Sequence, residues 1–150
     1  MRLRVFLVPV LILLAATAWA AEVETIGIIK NLQEPAAIVR DQQALPAQVG
    51  LKLIKSDILR TGPNGRIGVI LRDDTLLSLG PNSEIAFAEF VFSPAEGKLS
   101  LVTRMIKGTA AYLSGQIGRL SPRSVRFETP VATIGIRGTM FVVKVEDSLP

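Results

Sequence analysis

Glycine and proline recur so closely along this chain that they limit the length of its regular elements more than any other sequence feature does. All 12 glycines and most of the 9 prolines lie between residues 27 and 138. The gaps between them are mostly too short for an average helix of roughly 10 to 14 residues. Short strands joined by tight turns fit these gaps better. The spacing therefore predicts an all-β fold.

Apolar residues alternate with polar ones in several of the segments between these turn residues. Leu99, Leu101 and Met105 share one face of an extended segment, and Val125 and Phe127 alternate with Ser, Arg and Glu. A period of two is typical of a strand with one buried face. We expect roughly ten short strands with Gly/Pro turns, packed as a β-sandwich or as a short β-solenoid-like module.

Two turns share the tripeptide Gly-Pro-Asn, at residues 62–64 and 80–82, and form a weak internal repeat. Proline sets the first central position of such a turn, and Asn tolerates the next one. Between the two copies, Asp73 and Asp74 mark a third turn. A calcium loop would need further oxygen ligands at alternating positions, but the chain becomes apolar at Leu76. We therefore interpret the two aspartates as turn residues and not as a cation site.

Residues 101–113 fit two interpretations. Their apolar positions approximate the helical period of 3.6, but Gly108 in the middle would cost a helix about 1 kcal/mol relative to Ala. Thr103 and Thr109 lower the helix propensity further. We favour two strands that meet near Gly108.

The N-terminal segment has the features of a secretory signal peptide. Arg2 and Arg4 precede an apolar run at residues 5–14, and alanines with small-x-small spacing end at Ala20. A membrane-spanning helix needs about 20 apolar residues, so this run is too short to serve as an anchor. We expect cleavage after Ala20.

Cleavage there would divide the chain into a signal peptide, residues 1–20, and a single domain, residues 21–150. We expect that domain to be periplasmic and not to span a membrane. The formal net charge of the whole chain is +4, and two of its cations belong to the leader. The remaining charge is nearly balanced and provides no electrostatic footprint for nucleic acid.

The chain contains neither His nor Cys. This excludes imidazole bases, thiol nucleophiles and the usual His/Cys metal sites. It also lacks a Gly-x-Ser-x-Gly elbow, a Ser-x-x-Lys motif and a phosphate-binding loop. The single Tyr, Tyr112, lies in an apolar stretch and is expected in the core or at its boundary. We predict a protein that is not an enzyme, with no catalytic residues, cofactor or metal.

Arg119, Arg123 and Arg126 form the one basic cluster of the sequence. They are candidates for binding an anionic glycan, lipopolysaccharide or phosphate. The alternative is a set of solvated charges, because Arg123 and Arg126 are three residues apart and would lie on opposite faces of a strand.

Three longer blocks carry a more specific signal. Residues 57–62 read Asp-Ile-Leu-Arg-Thr-Gly, and residues 71–85 contain Leu-Arg-Asp-Asp-Thr and Gly-Pro-Asn-Ser-Glu-Ile. Residues 128–141 contain the ordered pattern Thr-Pro-x-Ala-x-x-Gly-x-Arg-Gly-Thr. Together the blocks resemble the FecR domain over residues 27–145. The signature residues of that resemblance are Thr129, Pro130, Gly135, Arg137, Gly138 and Thr139.

The resemblance implies a periplasmic, all-β module. In the full-length regulators of this family, the module follows a cytoplasmic anti-sigma segment and a transmembrane helix, and it receives a signal from an outer-membrane transporter. Here a cleavable leader is expected in their place, as in stand-alone exported FecR-domain proteins. The expected function is contact with a protein partner or an envelope component in envelope signalling. The alternative is a carbohydrate- or peptidoglycan-binding module.

Two positions depart from the family pattern, because Ser56 and Asp74 stand where the family commonly has Gly. Asp accepts a left-handed backbone, so we expect the turn at Asp74 to be kept at some strain.

Arg137 itself allows two interpretations. A tight turn could present it to a carboxylate or phosphate of a partner. Alternatively, Gly138 provides a special backbone angle, Arg137 pairs with a nearby carboxylate such as Glu128, and Thr139 bonds the backbone. We favour the second interpretation, in which the signature is a folding element.

Overall fold

The computed structural model describes residues 20–137 and 140–146, which fold into twelve strands and little helix. The expected all-β fold is confirmed. The strands are β1 (Thr25–Gln33), β2 (Ala36–Arg40), β3 (Gln43–Pro46), β4 (Lys52–Ile54), β5 (Ile58–Thr61), β6 (Arg66–Leu71), β7 (Leu76–Leu79), β8 (Glu84–Ser93), β9 (Lys98–Leu113), β10 (Val125–Glu128), β11 (Thr133–Gly135) and β12 (Met140–Val145). The helix α1 (Gln116–Leu120) and the 3-10 turns Pro94–Glu96 and Pro122–Ser124 lie between strands.

The strands form one curled sheet in the order β3-β2-β5-β8-β9-β7-β6-β1-β4, with β10 and β12 also paired to β9 and β11 paired to β10. Every pair is antiparallel except that of β10 with β9. Within residues 20–137 and 140–146, no helix is both long and apolar enough to cross a membrane. The proposed leader, residues 1–20, lies almost entirely outside the described part of the chain.

Strand β9 is the central element of this sheet. Its first ten residues, 98–107, pair with β8, and residues 110–113 pair with β7. Its other neighbours are β10, along residues 101–104, and β12, along residues 108–113. Because β9 belongs to both halves of the sheet, it connects them through its own backbone.

Gly108 marks the point on β9 at which its partners change. Its φ is +92°, a conformation that residues with a Cβ rarely adopt. The prediction of two strands meeting here was wrong in one respect, because β9 continues through Gly108 as a single strand of 16 residues. The helical alternative is not formed. The segment is a strand because residues on both sides of Gly108 hydrogen-bond to flanking strands, although its apolar residues also fit a helical period.

Both halves of the sheet contribute to one hydrophobic core. Its largest buried side chains include Phe87, Tyr112 and Phe127. Tyr112 stacks on Phe141 with ring centroids 5.0 Å apart, and Phe127 meets both rings edge-on. Burying a large apolar side chain contributes roughly 1.5 to 3 kcal/mol, so this aromatic group ties β10 and β12 to β9. The expected core position of Tyr112 is confirmed, since only 2% of it is exposed.

The two Gly-Pro-Asn turns are stacked on each other. Thr61 N donates to Ser83 O at 2.9 Å, and Asn82 N donates to Gly62 O at 3.1 Å. Asn64 and Asn82 both have positive φ, at 64° and 51°, as expected for Asn in such turns. The repeat is therefore a structural one, in which one turn supports the other.

Ser56 and Asp74, the two departures from the family's glycines, also have positive φ, at 76° and 67°. The expected left-handed conformation at Asp74 is confirmed. Asp74 Oδ2 accepts a hydrogen bond from Gln116 Nε2 at 2.8 Å, which offsets part of the strain at that position.

Candidate functional site

The signature residues Thr129 and Pro130 build the turn between β10 and β11. Thr129 N donates to Ala132 O at 2.8 Å, and Ala132 N donates to Thr129 Oγ1 at 3.0 Å. Pro130 is exposed at the tip. Both contacts lie within the turn itself. This supports the interpretation of the signature as a folding element at Thr129. Gly138 and Thr139 lie outside the described residues.

The pairing suggested for Arg137 and Glu128 is wrong. Glu128 Oε2 instead accepts hydrogen bonds from Arg104, at 3.1 Å from Nε and 3.0 Å from Nη2. The register between β10 and β9 explains this choice, because it places Glu128 directly beside Arg104. Arg137 is exposed, and no carboxylate of the described chain lies within salt-bridge distance of it.

The three arginines of the basic cluster occupy three different elements. Arg119 lies in the last turn of α1, Arg123 in the 3-10 turn that follows it, and Arg126 on β10. All three are exposed. The expectation that Arg123 and Arg126 lie on opposite faces of one strand was wrong, because Pro122 starts a 3-10 turn and β10 begins only at Val125.

A cavity of about 750 Å³ brings together two arginines that are distant in the sequence, Arg123 and Arg137. Arg126 pairs across the hairpin with Gly135, which also lines the cavity. Arg119 and Arg126 are not among the lining residues. The lining is formed by Gly118, Leu120, Ser121, Pro122, Arg123, Gly135, Ile136 and Arg137. We call this space the arginine cavity.

A second surface follows the free edge of the sheet at β12. Side chains on this strand alternate between exposed and half-buried, and Met140 and Val142 are exposed by 69% and 63%. Leu113 on β9 pairs in register with Met140 on one side and with Leu76 of β7 on the other. We call Leu76, Leu113, Met140 and Val142 the β12 apolar row. Sequence reasoning missed it, although residues 140–145 are apolar at every position except Lys144, so that both faces of the strand carry apolar side chains.

Two buried aspartates have structural roles. Asp57 is fully buried and receives a bidentate pair of hydrogen bonds from Arg40, at 2.8 and 2.6 Å. This bond raises the pKa of Arg40 above its ordinary value. Ile54 N adds a third hydrogen bond to Asp57, at 2.9 Å. The pair joins β2 to the turn before β5 and has no accessible carboxylate oxygen for chemistry.

Asp73 anchors the start of α1. Its carboxylate accepts hydrogen bonds from Thr75 Oγ1 at 2.8 Å and from Ile117 N at 3.2 Å, and it is fully buried. Its backbone oxygen accepts another from Gln116 N at 2.6 Å. This supports the interpretation of Asp73 as a turn residue and adds a contact over 44 residues that the sequence did not indicate. Among the described residues, no group of three or more His, Cys, Asp or Glu could hold a metal ion.

Tyr112 is a further buried titratable side chain, in addition to Asp57 and Asp73. Burial raises the pKa of Tyr112 to about 12. A phenol with so high a pKa stays protonated at neutral pH, and with 2% exposure it is inaccessible to a substrate.

The comparisons with known proteins agree with the sequence blocks. A family model described as FecR protein matches residues 57–149. No curated protein and no solved structure matches the chain.

Proposed function

Because the chain belongs to the FecR family, we propose that it is a non-enzymatic periplasmic protein that binds a protein partner in envelope signalling. The family is generally involved in envelope signalling and is not known for enzymatic activity. In this proposal, the leader is removed after Ala20 and residues 21–150 act as a single exported domain.

The free edge of β12 carries the proposal. Among the described strands, β3, β4, β11 and β12 have a single neighbour each. The first three have three or four residues, and β3 ends in Pro46, a residue that protects edges against pairing. β12 has six residues and only one charged side chain, Lys144. It is the edge best suited to accept a further strand.

Strand addition would use both the backbone and the side chains of this edge. A partner strand beside β12 would hydrogen-bond to its unpaired backbone groups, as in other β-augmentation complexes. The β12 apolar row would supply side-chain contacts on the outer face. Its exposed members contribute to affinity when a partner covers them, since apolar burial is worth about 25 cal/mol per Å². Exposed apolar patches next to a free edge are typical of interaction sites.

Site-specific cross-linking in the periplasm tests this proposal. The natural chain has no Cys, so Val142→Cys introduces a single attachment point for a thiol-reactive photo-cross-linker. The matched control is Val49→Cys, since Val49 is also an exposed valine, at 64%, but lies in a turn away from β12. We expect a discrete protein adduct from position 142 and none from position 49. Equal adducts from both positions, or none from 142, would contradict the proposal.

The location is tested separately, by the N-terminus of the protein recovered from the periplasm. We expect it to begin at Ala21. A chain that keeps Arg2 and Arg4 and fractionates with the inner membrane would contradict the proposed cleavage, without bearing on the β12 edge.

The glycan-binding alternative rests on the arginines near α1. Sugar sites usually add an exposed aromatic ring on which the sugar stacks, and no Phe or Tyr of the described residues is exposed. Trp19, the only Trp, belongs to the proposed leader. Sedimentation with peptidoglycan that is lost in the Arg123→Ala, Arg126→Ala double variant would favour this alternative over the protein partner.

A further inference from the structure

The arginine cavity is a site that the proposed function does not use. We propose that it binds an amphiphilic oxyanion, that is, a carboxylate or phosphate group carried on an apolar body. The site is separate from the β12 apolar row, and the two share no residue.

The cavity has the size of a small-molecule site and is built from two separate parts of the chain. Its volume of about 750 Å³ falls within the range of roughly 300 to 1,000 Å³ that is usual for ligand pockets. One wall is formed by residues 118 and 120–123, from α1 into the following 3-10 turn, and the other by residues 135–137, which begin at the last residue of β11. Each wall contributes one arginine, Arg123 from the first and Arg137 from the second.

The two cavity arginines form no ion pair with a carboxylate within residues 20–137 and 140–146. Other cations of the chain, such as Arg40, Arg60 and Arg104, lie within 4.0 Å of a carboxylate oxygen. Neither Arg123 nor Arg137 has such a partner in the described part of the chain, and no Asp or Glu lines the cavity. Guanidinium groups bind carboxylate and phosphate in a bidentate manner, and two of them in the lining of one cavity favour an anion there. Arg126, opposite Gly135, adds positive charge nearby.

The cavity lining also contains apolar side chains. Leu120 is exposed by 60% and Pro122 is exposed as well, whereas Ile136 is already buried. A bare inorganic ion would leave Leu120 and Pro122 in water. An anion with an apolar body would cover them and gain the free energy of that burial.

One wall of the cavity is held in place by hydrogen bonds. Ser121 N donates to Ile117 O at 2.8 Å, Ser124 N donates to Ser121 O at 2.9 Å, and the two serine hydroxyls lie 2.7 Å apart. Asp73 holds the beginning of α1, as described above. Because this wall is ordered before a ligand arrives, binding costs little conformational entropy on that side.

Calorimetric titration of the protein purified from the periplasm tests the site. The probes are decyl phosphate and decanoate below their micelle concentrations, with inorganic phosphate and decanol as the head group and the apolar body alone. We expect saturable binding of at least one amphiphilic anion, and binding weaker by about tenfold or more for each part alone. Preference for decyl phosphate or for decanoate would support the proposal and identify the head group.

Substitutions at the cavity separate this site from general attraction to a basic surface. Arg123→Gln and Arg137→Gln should each weaken binding by about tenfold, since each removes a charge-assisted hydrogen bond. The matched control is Arg66→Gln, which removes an exposed arginine of β6 that does not line the cavity. Both cavity arginines are exposed, so their variants should melt like the natural protein. No saturable binding, equal losses in all three variants, or inorganic phosphate bound as tightly as decyl phosphate would each overturn the proposal.

Discussion

The positive φ of Gly108 in β9 leads to a prediction whose size follows from the structure. Replacing Gly108 by Ala places a Cβ within 3.0 Å of Ser83 Oγ, Cα and Cβ, in a residue whose φ is +92°. The Cα of Ser83 belongs to the backbone of a stacked turn and has little freedom to move. Ser83 also exchanges hydrogen bonds with Thr109, at 2.9 and 3.2 Å, which the displaced side chain would lose.

Three costs add up in this variant. The unfavourable φ costs about 1 to 3 kcal/mol, the overpacking costs about 1 to 3 kcal/mol, and each weakened hydrogen bond costs about 1 kcal/mol. We expect the free energy of unfolding to fall by about 4 kcal/mol, the lower end of this sum and a large part of the roughly 5 to 15 kcal/mol typical of a domain. For a domain of this size, the midpoint of thermal unfolding should fall by about 12 °C.

Thermal and urea unfolding, followed by circular dichroism, measure this loss against two matched variants. Gly97→Ala carries the strain of a positive φ, +68°, but its Cβ meets nothing within 4 Å, so it should cost only about 1 kcal/mol. Gly135 has neither a positive φ nor an atom within 4 Å of the added Cβ, so Gly135→Ala should leave the free energy of unfolding nearly unchanged. If Gly108→Ala unfolds like Gly97→Ala, the close approach of the added Cβ to Ser83 adds no cost, and the reasoning fails.

Three further predictions concern stability. Ser56→Gly should raise the free energy of unfolding by up to about 1 kcal/mol, because glycine adopts the left-handed backbone of this exposed position without strain. A lower free energy of unfolding in urea would contradict this. Asp57→Asn should lower the free energy of unfolding by about 3 kcal/mol. This is the low end for a broken buried ion pair, because 26% of the Arg40 side chain is exposed to solvent. An unchanged urea midpoint would show that the pair does not stabilise the fold. The pKa of Tyr112 is raised from 10.0 to about 12, so the unfolded state loses its proton first and stability should fall as the pH rises through that interval. Tyrosinate absorbance during alkaline unfolding reports this ionisation directly, because Tyr112 is the only Tyr. If the stability of Tyr112→Phe falls as steeply with rising pH, the loss does not come from Tyr112 and the assignment is refuted.

Local geometry was predictable because it depends on neighbouring residues. The alternation of Val125 and Phe127 indicated a strand with one buried face, and β10 buries both side chains. Asn64, Asn82 and Asp74 were expected in turns that suit a left-handed backbone, and all three have positive φ. These outcomes follow from the sterics of single residues and from the two-residue period of a strand.

Contacts between distant segments were not predictable from the sequence. Glu128 pairs with Arg104 because β10 runs parallel to β9 in one register, and no local pattern encodes that register. Asp73 accepts a hydrogen bond from Ile117 N in α1, 44 residues further along the chain, and no local pattern indicates that contact. For the same reason, the predicted basic cluster contained Arg119, Arg123 and Arg126, whereas the cavity lining contains only Arg123 of these and adds Arg137.

Hydrogen–deuterium exchange of the protein with its cross-linked partner tests the central proposal, partner binding at β12, most directly. A strand added to the free edge would occupy backbone groups of β12 that are otherwise open to water. We predict slower exchange over residues 140–145 in the complex and no change over residues 43–46, the free edge that ends in Pro46. Slower exchange elsewhere, with residues 140–145 unchanged, would contradict the proposed docking edge.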